Sequence, residues 1–80
     1  MSPYIKKTDR EIIKITGKPH TCGELNYVLT KTLLDYLPSD PHYSEYNEII
    51  GVLECCKLEM YRRKIALMED KKIEENGDVY

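Results

Sequence analysis

Between Ser44 and Gly77 the apolar positions fall three and four residues apart with no proline to interrupt them: Tyr46, Ile49, Ile50, Leu53, Cys56, Met60 and Leu67. At about 100° per residue that spacing gathers them on one face of an α-helix, so the stretch predicts one long helix. Ser44 is the expected N-cap, its hydroxyl placed to accept from an unpaired N–H of the first turn. Lys71 and Lys72 lie near the negative pole of the helix, and Asn76-Gly77 offers a left-handed C-cap. Gly51 is the position at which the helix could kink or admit a close neighbour. Val52 widens the apolar face on one side, and Leu58, Tyr61, Ile65 and Met68 widen it on the other. A helix this broadly apolar needs cover on more than one side, and two short helices cannot supply all of it. The pattern therefore predicts a homo-oligomer packed along the long helix, each buried Leu or Ile contributing about 1.5–3 kcal/mol before ordering entropy is subtracted.

Upstream, the pattern predicts two shorter helices. Residues 1–7 (MSPYIKK) form an N-terminal arm in which Pro3 prevents an early helix and Tyr4 and Ile5 could hook onto the body. Thr8-Asp9-Arg10-Glu11 has the spacing of a capping box, with Thr8 as N-cap, and Ile12, Ile13 and Ile15 follow until Gly17 and Pro19 end the helix. Thr21-Cys22-Gly23-Glu24 repeats that spacing and opens ELNYVLTKTLLDYL, which Pro38 ends. PSDPHY is a turn-rich connection, and residues 77–80 form a tail. No stretch alternates as a strand would. The fold class is all-α: one small domain over residues 1–80, with a short helix 1 and a helix 2 antiparallel to a long helix 3.

Size and cysteine usage reinforce the expectation of self-association. A chain of 80 residues buries only about 60–65% of its unfolded surface and needs further stabilisation. Three cysteines, two of them adjacent, make no disulfide framework, and no zinc pattern replaces it. Without a signal peptide or an apolar run of membrane-spanning length, the expected location is the cytoplasm, with no membrane partner. The formal charge of −2 argues against a nucleic-acid partner, since the protein lacks the field of a basic domain.

Three constellations carry chemistry. His20-x-Cys22 and Cys55-Cys56 are metal-ligand types, but neighbours on a helix point about 100° apart and do not converge on a tetrahedral ion, so no metal is expected. Glu45-x-x-Glu48 resembles the first half of the magnesium motif of all-α nucleoside triphosphate pyrophosphohydrolases. The second half of that motif, Glu-x-x-Asp, is missing, and no catalytic residue or cofactor is assigned. The third is Tyr61, Arg62, Arg63 and Lys64, with Asn26, Tyr27, Tyr46 and Asn47 as contributors. Arginine forks match phosphate oxygens, tyrosine rings stack on bases and asparagine amides read a base edge, which suits a nucleotide held between helices or subunits. Against this stands ion pairing of Arg62 and Arg63 with Glu59, Glu69 or Asp70, and packing of Tyr61 at an interface.

GELNYVLT, YNEIIGVLECCKLEMYRR and the ending EDKKIEENGDVY resemble a family of short proteins of unknown function from tailed phages and prophage-bearing bacteria, over Gly23 to Tyr80. That resemblance implies phage origin and action in the cytoplasm of an infected bacterium, and brings no catalytic residues with it. In size and style the chain is similar to the phage proteins that sequester nucleotide immune signals. The expected function is accordingly non-catalytic binding of a cyclic nucleotide or ADP-ribose derivative at Tyr61, Arg62, Arg63, Tyr27, Asn26, Tyr46 and Asn47, counteracting anti-phage defence. The alternative is a module that binds a host protein through its helix surface and its tail.

Overall fold

The computed structural model describes residues 6–80, the side chains of residues 15 and 16 excepted. The arm's Tyr4 and Ile5 lie outside the described residues, as does the side chain of Ile15. Among the described residues every regular element is helical, so the chain is all-α. It divides into two compact units, Met1–Pro41 and His42–Tyr80.

The first unit holds α1 (Lys7–Thr16) and α2 (Cys22–Tyr36), which contact one another. The expected N-cap Thr8 is instead the second residue of α1. The helix starts at Lys7 behind Lys6, whose backbone is extended and whose side chain makes no capping bond. Asp9 stands in the first turn, with its carboxylate at the positive pole, whichever of the two residues leads. Gly17 ends α1 as expected: at φ 71° it adopts the left-handed conformation, and its N–H donates to Ile13 O. Ile13 is buried, whereas Ile12 beside it is half exposed, as one-sided packing of a short helix requires.

Thr21 caps α2 as its sequence predicts, its Oγ1 accepting from Glu24 N–H at 3.1 Å. The reciprocal bond is displaced by one residue: Glu24 Oε1 accepts from the N–H of His20, at 3.0 Å. Leu37 turns extended (φ −69°, ψ 141°) because the pyrrolidine ring of Pro38 disfavours helical backbone before it.

The second unit is one long helical run in three parts: α3 (Tyr43–Met60), a π-helical turn (Tyr61–Ile65) and α4 (Ala66–Asn76). Its start differs from expectation. His42 rather than Ser44 is the N-cap, and Glu45 Oε1 accepts from His42 N–H at 2.8 Å. Leu37 and His42 are extended at the two ends of the proline-containing loop, and the helix begins once Pro41 is passed, its cap two places before the serine. The far end stops at Gly77, whose N–H donates to Ile73 O; its φ of 86° suits glycine, but with ψ at 153° the chain leaves in an open conformation and not a left-handed cap.

The helix passes through Gly51 as regular α-helix, and the irregularity falls at Tyr61–Ile65. There Ala66 N–H donates to Tyr61 O, five residues back, so the turn holds one residue more than an α-turn. That extra residue moves everything beyond it about 100° around the axis relative to a straight helix. Ile65 and Met68 are carried into line with Tyr46, Leu53 and Met60, and Leu67 is carried to the opposite side. A Cβ added at Gly51 would meet nothing within 4 Å. Gly51→Ala should therefore stabilise the protein by about 0.5–1 kcal/mol through lost backbone freedom in the unfolded chain, read as a higher Tm. A lower Tm would mean that another chain presses against that backbone.

Candidate functional site

Tyr61, Arg62 and Arg63 stand together on the π-turn, one after another around the axis. Glu59, one turn earlier, engages both arginines: Arg62 Nη2 lies 3.0 Å from its Oε2 and Arg63 Nη1 lies 3.4 Å from its Oε1. All three side chains are more than half exposed, so the pairs are screened and contribute little to stability, about 0.3–0.5 kcal/mol each for such helical spacing. Their chemical consequence is larger. Both guanidinium groups are already held by one carboxylate, and any other anion has to compete with it.

Tyr61 is bound from the opposite direction. Its hydroxyl donates to Glu69 Oε2 at 2.7 Å, across eight residues. In a regular α-helix a residue eight places on sits about 80° round, and the extra residue of the π-turn brings it back to within about 20°. The carboxylate of Glu69, as acceptor and as a neighbouring charge, raises the Tyr61 pKa above its ordinary 10, with Asp70 adding to the effect. A raised value in the folded state means the contribution is fully present below about pH 10 and is lost as the pH climbs through the raised value. In an absorbance titration, one tyrosine should ionise at lower pH in Glu69→Gln than in the wild type. A titration in which Glu69→Gln changes nothing would mean the bond is not kept in solution.

A shallow groove beside the cluster is lined by Cys55, Cys56, Glu59, Met60, Arg63 and Lys64. It combines two exposed thiols and a thioether with cationic groups at one end. A second groove, at the end of α4, runs between Ile65, Met68 and Ile73 and the tail residues Val79 and Tyr80. The tail is turned by Asp78, whose Oδ1 accepts from Tyr80 N–H at 2.9 Å, and Val79 is almost fully exposed.

The remaining predicted residues fall elsewhere. Tyr46 and Asn47 lie in the first turns of α3, some fifteen residues and roughly 22 Å along the helix from Tyr61–Arg63, too far to share one small ligand within a single chain. Asn26 and Tyr27 belong to α2 in the first unit, where Asn26 Oδ1 accepts from Thr30 Oγ1 at 3.2 Å and Tyr27 is half-buried. Glu45 is engaged at the N-terminus of α3. Among the described residues no group of three or more His, Cys, Asp and Glu side chains is arranged to hold a metal ion, and no helix is long and apolar enough to cross a membrane.

A family model described as "Domain of unknown function (DUF6899)" matches residues 1–79. The chain belongs to the DUF6899 family. No curated protein and no solved structure matches it. In this DUF6899 chain the ion pairs to Glu59 are visible in the sequence, as i,i+3 and i,i+4 spacings. The Tyr61–Glu69 bond is not, because eight residues is no helical spacing until an extra residue is inserted. The thiol-lined groove beside Met60 also escapes a reading by motif.

Proposed function

We propose that this protein acts without catalysis, as a self-associating interaction module whose working surface is the long helix. The observation that carries the reading is where the apolar side chains lie. The described core residues are Ile13 and Ile49, while Tyr46, Ile50, Val52, Leu58, Met60, Ile65, Leu67 and Met68 on the long helix are each 41–68% exposed. Exposed apolar side chains ranged along one helix in this way mark an interaction surface. The resemblance to short phage and prophage proteins supports a setting in the cytoplasm of an infected bacterium, with a host protein as the further partner.

A second reading, sequestration of a nucleotide-derived immune signal, is favoured by the groove at Glu59, Met60, Arg63 and Lys64. There an inter-subunit ligand would take Arg63 and Arg62 from Glu59, with Tyr61 stacking. It stands second because these arginines already have an anionic partner and the Tyr61 hydroxyl is committed to Glu69.

Native mass spectrometry of the full chain, alone and with cyclic dinucleotides, cyclic oligoadenylates and ADP-ribose isomers, separates the two. A ligand-free oligomer supports the interaction module. An oligomer that retains one of these masses, and loses it in Arg63→Ala while staying folded, moves the conclusion to sequestration. A monomer at micromolar concentration overturns both.

A further inference from the structure

The long helix carries its charge unevenly along its length. From Tyr43 to Met60 it bears Glu45, Glu48, Glu54 and Glu59 against the single cation Lys57. From Tyr61 to Asn76 it bears Arg62, Arg63, Lys64, Lys71 and Lys72 against Glu69, Asp70, Glu74 and Glu75. The first half is therefore strongly acidic and the second slightly basic. With the π-turn included, Glu45, Glu48, Glu59, Arg63, Lys71 and Glu75 fall along one flank of the apolar seam: up to Glu59 it carries acids alone, and both its cations, Arg63 and Lys71, lie beyond.

We infer that the partner covering this seam is a second copy of the chain with its long helix running antiparallel, the two-fold axis passing near the level of Glu59 and Met60. The inference rests on the self-association proposed above and adds the orientation to it. In an antiparallel pair each flank faces the same flank of its partner run backwards. Glu48 then lies level with the partner copy's lysine at position 71, and the Glu59–Arg63 pairs of the two copies interleave at the axis. Along the seam, Leu53 comes level with position 65 of the second copy and Ile50 with position 68, so apolar residues meet apolar residues, and it is the π-turn that brings Ile65 into line. A parallel pair would instead stack the arginine cluster on itself and the acidic half on itself, and like charges in register are unfavourable. It would also set the two helix dipoles side by side in the same direction.

The test uses the full chain with Cys22, Cys55 and Cys56, all exposed, replaced by serine, and one nitroxide label placed at either Ser44→Cys or Leu58→Cys. Pulsed dipolar spectroscopy then reads the label-to-label distance in the oligomer. Antiparallel pairing about Glu59–Met60 puts the labels at position 44 about 45 Å apart and those at position 58 within about 25 Å. Parallel pairing brings both below about 25 Å, and that result overturns the orientation while leaving self-association standing. Loss of any dipolar signal together with a monomer mass overturns the inference and the underlying reading together. Thermal melting of each labelled variant at the wild-type Tm shows that the distances belong to the native assembly.

Discussion

Ile65→Glu is expected to dissociate the assembly, and Leu67→Glu, two residues away, is expected to leave it intact. On a straight helical wheel the reverse holds, because Leu67 then falls with Tyr46, Leu53 and Met60 while Ile65 sits at the margin. The π-turn at Tyr61–Ile65 exchanges their places. A glutamate at Ile65 removes about 2 kcal/mol of apolar burial from each of two chains, before the cost of bringing a charge near the seam is counted. The dimer constant should therefore weaken by roughly a thousandfold or more, enough to give monomers at micromolar concentration. Sedimentation equilibrium on both variants decides the matter. Dissociation by Leu67→Glu with Ile65→Glu unaffected would mean that the helix is straight in solution.

A one-residue deletion inside the π-turn should be tolerated, which is unusual for a position in mid-helix. Removing Lys64 lets Tyr61 O pair with the N–H four residues on, so the turn becomes an ordinary α-turn. The residues beyond it keep their direction, since the π-turn differs from an α-turn by that one residue. The pairs of Arg62 and Arg63 with Glu59 are upstream and survive, and Glu69 becomes the seventh residue from Tyr61, still on the same side. Removing Arg63 and Lys64 together is different, because only one of the two can be absorbed. Ile65 and Met68 then rotate by about 100°, and the assembly should be lost. Replacing both residues with alanine separates the effect of length from that of charge. Circular dichroism should show helicity kept in all three variants, with oligomer mass lost only in the double deletion.

The contrast between these variants shows what was legible in the sequence. Helix existence, the turn at Gly17, the cap at Thr21 and the stop before Pro38 follow from local chemistry, and each is found where its residues place it. Two helix starts, at Thr8 and Ser44, were displaced because a favourable capping residue is only one of several acceptable starts. The first turn of α1 gains from Asp9, and that of α3 from Glu45 bonding back to His42, whichever residue leads. The π-turn left no trace in the sequence: Tyr-Arg-Arg-Lys-Ile is ordinary helical sequence, and Leu58, Tyr61, Ile65 and Met68 follow one another at helical steps of three, four and three. For the same reason the candidate site was half visible, with the arginines and their carboxylate readable at helical spacing and the tyrosine's partner hidden by the extra residue.

Glu59 has one further consequence. Because it is tethered within reach of both guanidinium groups, a dissolved anion has to displace it, and at about 0.3–0.5 kcal/mol per pair that raises the anion concentration needed by roughly twofold for each arginine. An anion offering two or more phosphate oxygens to both forks at once gains more than that from bidentate contact. Glu59→Gln would remove the competition and strengthen the binding of such an anion by that small factor.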